Sequence, residues 1–245
     1  MIGKIIGIRV VNTTCSDEAA IITGRTETAT LGTIYSQAEN RKGMVYLVVD
    51  CSGSMAGYKM SQVKQGIMEF ARDAIKKEYS VGLIKFDTSS THLCEPQCAI
   101  GDLTAYLDKL DAHGSTNMGS AITMAQGHLS DTRYARAMVI ATDGRPDKAQ
   151  FALQAGQSAK NDGIDIITIG TDDADLGFLR KLASSEELGN KVSNEQFGKA
   201  IGSAHLLLPD PRQIDRGNLL THEPGRSLSY PGLKNYCFSR QSMAF

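Results

Sequence analysis

Apolar residues come in short unbroken runs, and several end abruptly on a polar residue. Val45-Tyr46-Leu47-Val48-Val49 has no alternation and stops at Asp50. A run of that length with no polar face predicts a strand buried on both sides, as in a parallel sheet. Ser80 to Asp87 (SVGLIKFD) and Ile164 to Gly170 (IDIITIG) read the same way, and Ala137 to Thr142 is followed by Asp143. Between these runs the apolar period changes to that of a helix. Ser61 to Lys77 carries Val63, Ile67, Phe70, Ala71, Ala74 and Ile75 on one stripe, and Gly101 to Leu110 carries Leu103, Leu107 and Leu110. Further helices are predicted over Met118 to Leu129, Lys148 to Lys160 and Asp175 to Ala183, with Gly163 placed to terminate the second. Asn194 is expected to cap a last helix bearing Phe197, Ile201, Ala204 and Leu208. Thr91 to Cys94 and Lys191-Val192 read as short additional strands. Strands alternating with helices predict an α/β fold, a doubly wound and mostly parallel sheet with helices on both faces.

The ends have a different texture. Met1 to Val11 reads as a strand. Asn12 to Gly43 is rich in Thr, Ser, Glu and Gly, with β-prone pieces at Ile21-Ile22 and Leu31 to Tyr35 that suit an edge hairpin. From Pro209 to Phe245 the apolar periodicity is lost. The expected plan is an extension over 1–43, a central domain over 44–208 and a tail over 209–245.

Composition narrows the function. A hydrophobic content of 41% supports a folded core. The 26 basic and 27 acidic residues leave a net charge of −1 and form no basic block, which argues against nucleic acid. No apolar run is long enough to span a bilayer, and the first residues lack a signal-peptide core and cleavage site. Five cysteines without framework spacing suggest reduced thiols and a cytoplasmic setting.

The candidate chemistry lies where the apolar runs end. Asp50, Ser52 and Ser54 follow one strand in Asp50-Cys51-Ser52-Gly53-Ser54. Thr116 stands in the turn His113-Gly114-Ser115-Thr116-Asn117 before a helix, and Asp143-Gly144 follows another strand. Open α/β sheets bind ligands at the carboxyl ends of their strands, beside the switch point. Two carboxylates and three hydroxyls are hard oxygen donors, suited to a cation such as Mg²⁺. Singly, each residue has an ordinary alternative. Aspartates close turns, and serine or threonine caps helices. The joint occurrence is what favours a metal.

Taken together, Asp50-Cys51-Ser52-Gly53-Ser54, Thr116 and Asp143-Gly144 resemble the metal-ion-dependent adhesion site of von Willebrand factor A domains. The order of elements from Met44 to Leu208 resembles that family too. The resemblance implies a Rossmann-like sheet and a bound Mg²⁺, or Mn²⁺ or Ca²⁺ in some members. It implies Ser52, Ser54 and Thr116 as direct ligands, with Asp50 and Asp143 acting directly or through water. It further implies a protein partner that supplies a carboxylate to the metal. Stand-alone intracellular bacterial members suggest signalling, stress-response or phage-defence assemblies with AAA+ ATPases or kinase and phosphatase modules.

Other readings are weaker. A metal-dependent hydrolase or phosphatase would need a base beside the cation. Asp87 is the nearest candidate, with a turn role as its alternative. His92, Cys94 and Cys98 form H-x-C-x₃-C but lack a fourth zinc ligand. Cys51, the variable position of the metal loop, is expected to face the core. Arg145 either guides an acidic partner or pairs with Asp147. No G-x-S-x-G, G-x-G-x-x-G or Walker A motif occurs, so neither a serine hydrolase nor a nucleotide enzyme is expected.

Overall fold

The computed structural model describes residues 9–10, 20–21, 42–97 and 100–211. The chain divides into two compact units, Met1–Arg41 and Lys42–Phe245. In the first, β1 (Arg9–Val10) pairs antiparallel with β2 (Ala20–Ile21). The rest of the expected Met1 to Val11 strand, the piece at Leu31 to Tyr35 and most of the tail lie outside the described residues.

The second unit runs β3 (Gly43–Asp50), α1 (Tyr58–Lys76), β4 (Tyr79–Phe86), β5 (Ser90–Gln97), α2 (Ile100–Leu107), α3 (Met118–His128), β6 (Ala135–Thr142), α4 (Ala149–Asn161), β7 (Asp165–Gly170), α5 (Leu176–Leu182), β8 (Gly189–Lys191) and α6 (Phe197–Ser203). Six strands form one sheet in the order β5-β4-β3-β6-β7-β8. All neighbours are parallel except β4 and β5. The chain builds outward from β3 to β5, returns to β6 on the other side of β3, and builds outward again. The switch point therefore falls between β3 and β6, the two strands that lead into Asp50 and Asp143.

Successive side chains of β3 enter opposite cores, as the period of a strand requires. Val45, Leu47 and Val49 join Val63, Ile67 and Phe70 of α1 and Phe197 and Ile201 of α6. Tyr46 and Val48 join Met118, Ile122 and Ala125 of α3 and Ala152 of α4. Each fully buried large aliphatic contributes roughly 1.5–3 kcal/mol of transfer free energy. Because both faces of β3 are filled, the sequence there shows no alternation.

On the first face α1 and α6 touch through glycines. A Cβ on Gly66 would come within 2.5 Å of the Gly198 carbonyl oxygen, and one on Gly198 within 2.6 Å of the Gln62 carbonyl oxygen. Gly163 adopts φ 75° after α4, the left-handed conformation expected of a helix-terminating glycine. Asp175 caps α5 by accepting a hydrogen bond from the Phe178 N–H at 3.2 Å.

Two expectations are corrected. Asn194 does not cap the last helix. It begins a 3₁₀ turn, and its Oδ1 accepts from the Thr171 hydroxyl at 2.8 Å. Thr171 is fully buried, so its hydroxyl requires a partner. The apolar stripe through Leu208 is likewise not one helix, since α6 ends at Ser203 and tightens into a 3₁₀ turn over Ala204–Leu207. The edge strand β5 extends past the predicted Thr91 to Cys94 and includes Pro96, which an edge strand tolerates.

Candidate metal centre

Three loops meet at the carboxyl ends of β3 and β6, and backbone hydrogen bonds join them. The His113 N–H donates to the Cys51 carbonyl at 2.7 Å, and the Gly53 N–H to the Gly114 carbonyl at 3.2 Å. The loop bearing Thr116 is thereby fixed to the loop bearing Ser52 and Ser54. On its far side the Thr116 N–H donates to Asp147 Oδ2 at 3.0 Å, and the Asp147 N–H returns to the Thr116 carbonyl at 3.0 Å. This exchange ties Thr116 to the loop that follows Asp143.

Side chains extend the linkage. The Ser52 N–H donates to Asp50 Oδ1 at 2.8 Å, and the Thr142 hydroxyl to Asp50 Oδ2 at 2.5 Å. Ser52 Oγ lies 3.2 Å from Ser54 Oγ, and Ser54 Oγ donates to Asp143 Oδ1 at 2.8 Å. Asp50, Ser52, Ser54 and Asp143 are therefore connected directly, and Thr116 joins them through its loop. Asp50, Ser52, Thr116 and Asp143 are all buried.

Burying a carboxylate has an electrostatic consequence. Desolvation pushes the Asp50 pKa up to about 6, against the hydrogen bonds from Thr142 and Ser52, with the nearby Asp143 charge adding to the rise. Two neighbouring carboxylates at a buried point call for positive charge. The five donors are all oxygen, three hydroxyls and two carboxylates, so the set fits a hard divalent cation.

One positive charge near this point was not visible in the sequence reading. Lys59, in the first turn of α1, places its ammonium on Asp143 Oδ2 and 2.8 Å from Asp172 Oδ2. Burial works against the Lys59 charge, but hydrogen bonds to Asp143 and Asp172 outweigh it and hold the pKa above the usual lysine value. Asp172 adopts φ 46° in the loop after β7 to reach this lysine. A lysine one turn into an amphipathic helix carries no signal that separates it from an ordinary solvated residue.

The remaining candidates have ordinary surroundings. Cys51 is fully buried, and burial pushes its thiol up to about 12, so it faces the core as expected. Asp87 closes a turn, with Oδ1 accepting from the Ser89 N–H at 2.9 Å and Oδ2 lying 3.4 Å from His113 Nε2. Arg145 pairs with Asp175 at 3.6 Å rather than with Asp147, which is committed to the Thr116 backbone. Cys94 is a core residue on the face opposite to His92.

Known proteins share this fold. The solved von Willebrand factor domain of the type V pilus tip protein Mfa5 from Porphyromonas gingivalis superposes with a TM-score of 0.62 at 14% identity, covering 72% of this chain and 97% of that one. Proximal thread matrix protein 1 from mussel byssus, solved with zinc in its metal-ion-dependent adhesion site, gives 0.55 at 16% identity, covering 74% and 52%. Inter-alpha-trypsin inhibitor heavy chain H2 of Sus scrofa is 24% identical over 181 residues, 63% of this chain and 19% of that protein. The chain thus spans about a fifth of the curated relatives it matches. The family profile of the von Willebrand factor type A domain matches residues 45–203, well over half of the sequence. The chain belongs to the von Willebrand factor type A domain family.

Proposed function

We propose that this chain is a cation-dependent protein-binding module rather than an enzyme. Asp50, Ser52, Ser54, Thr116 and Asp143 hold a divalent ion, Mg²⁺ in the cell, and a carboxylate from a partner protein completes its coordination. The observation that carries this reading is the hydrogen-bonded chain from Asp50 through Ser52 and Ser54 to Asp143, with the Thr116 loop bonded to both sides. Three hydroxyl ligands neutralise little of the ion's charge, so an anionic ligand from outside is favoured. Zinc in the equivalent site of the mussel relative supports a divalent cation here.

The partner approaches from the carboxyl end of the sheet. Cys51 is a free thiol buried in the core. We place the chain in an intracellular bacterial assembly, with an AAA+ ATPase or a kinase or phosphatase module as the class of partner. No helix among the described residues is long and apolar enough to cross a membrane. The binding reading is favoured over a hydrolase because Asp87, the nearest candidate base, serves a turn by accepting from the Ser89 N–H.

The test is capture of partners on the immobilised full chain with Mg²⁺ and again with EDTA, alongside Asp143→Ala. The reading expects a partner set that disappears with EDTA and in the variant. A partner set that persists in both contradicts it.

A further inference from the structure

A second cluster of metal-ligating side chains is assembled at the β5 edge of the sheet, on the face covered by α3. It begins with Tyr46. This side chain leaves β3, crosses β4 over Gly82 and reaches β5. A Cβ on Gly82 would overlap the Tyr46 ring, so glycine is what permits the crossing. The buried phenol donates to Glu95 Oε2 at 2.9 Å, and its oxygen lies 3.0 Å from His92 Nε2. His128, in the last turn of α3, stacks on His92 with ring centroids 4.0 Å apart and planes 7° from parallel.

The second carboxylate oxygen, Glu95 Oε1, faces both rings. It lies 3.3 Å from His128 Nδ1 and 3.7 Å from His92 Nε2. One ligand atom from each of the three residues falls within 4.8 Å of the others. Ligands at zinc–nitrogen and zinc–oxygen bond lengths in a tetrahedral site sit about 3.4 Å apart, so a small rotation of the rings closes the set. Each residue is partly buried, with side-chain exposures of 23% for His92, 32% for Glu95 and 34% for His128.

Local irregularity creates this grouping. β5 pairs with β4 through register shifts on either side of Leu83. The extra residues of these bulges break the alternation. Cys94 therefore turns into one core while His92 and Glu95 share the other face with Tyr46. Tyr46 has one hydroxyl proton, and giving it to Oε2 orients the carboxylate with Oε1 toward the imidazoles. Such an orienting partner behind a ligating group is typical of functional metal sites.

We propose that His92, Glu95 and His128 form a second divalent-metal site, for a borderline cation of the Zn²⁺, Co²⁺ or Ni²⁺ class, with its fourth position open to solvent. Two imidazoles and one carboxylate select such an ion over Mg²⁺. The all-oxygen site at Asp50 and Asp143 has the opposite preference, so the two centres sort different cations. This second site does not depend on the first being occupied. Bound metal would join the edge strand β5 to the end of α3.

The probe is Zn²⁺ titrated into the full chain carrying Ser54→Ala and Asp143→Asn, which disable the oxygen site. Imidazole ¹⁵N resonances and binding isotherms are the readouts. The proposal expects one equivalent of Zn²⁺ to bind. It expects the ring nitrogens of His92 and His128 to shift while those of His113 and His205 stay. It expects His128→Gln or Glu95→Gln, added to the same background, to weaken binding about tenfold or more. Thermal melts without zinc establish that each variant is folded. Static His92 and His128 resonances at one equivalent overturn the proposal. So does Zn²⁺ affinity in folded His128→Gln and Glu95→Gln within about twofold of the background chain, which is inside ordinary mutational scatter.

Discussion

Lys59 is the residue that most changes the picture of the candidate metal centre. Its ammonium pairs with Asp143 and Asp172, so it competes for an oxygen that the proposed cation would use. Two unit charges about 4 Å apart interact by roughly 1 kcal/mol in water and about 4 kcal/mol near a protein surface. Removing the ammonium while keeping the stem, as in Lys59→Met, should tighten Mg²⁺ binding by about fivefold or more, measured by calorimetry. Affinity unchanged in Lys59→Met would mean that the lysine leaves Asp143 at no cost. Ser54 offers the complementary test. Its hydroxyl links Ser52 to Asp143, and its carbon atoms contribute little to either core. Ser54→Ala should therefore abolish Mg²⁺ binding while shifting the denaturation midpoint only slightly, within about 0.5 kcal/mol.

At the scale of elements, the contact between α1 and α6 is the most demanding. Gly66 and Gly198 allow the helices to approach until backbone meets backbone, and a backbone carbonyl cannot turn aside as a side chain can. Gly198→Ala should cost about 1–3 kcal/mol by overpacking, despite the better helix propensity of alanine. Urea denaturation reads this as a lower midpoint with an unchanged slope. An unchanged or raised midpoint would show that α6 slides without penalty. The strands were the most legible elements, because β3, β6 and β7 are buried on both faces and give unbroken apolar runs. The bulges of β5 were not legible. They arise from pairing with β4 and leave no local pattern, which is why His92 pointed toward Cys94 and Cys98 in the sequence but meets Glu95 and His128 in the fold. The break of the last helix at Ser203 was hidden for a similar reason, since Ala204 and Leu208 keep helical spacing through the 3₁₀ turn. Within the candidate metal centre, Asp50 and Asp143 could be named because a carboxylate closing an apolar run is a local signal, and Ser52, Ser54 and Thr116 because with them they match the motif of a known family. Lys59 and Asp172 could not, because their meeting depends on how α1 and the β7 loop pack.

For the whole molecule, the two proposed centres occupy different parts of one sheet. The oxygen-rich set lies at the carboxyl ends of β3 and β6, beside the switch point. The imidazole set lies beyond β4 at the β5 edge, held there by Tyr46. An ion bound to the native fold and not to the unfolded chain stabilises it by mass action, by about 2.7 kcal/mol at a hundredfold excess over the dissociation constant. Saturating Mg²⁺ should accordingly raise the melting temperature of the full chain, and EDTA should reverse the gain. A melting temperature insensitive to both would count against an ion in the native fold. Mg²⁺ binding itself is the most direct measurement of the central claim. Calorimetric titration of Mg²⁺ into the full chain should show one site that is lost in Asp50→Ala, with circular dichroism confirming that the variant is folded. No binding to the wild type, or equal affinity in a folded Asp50→Ala, would contradict the account.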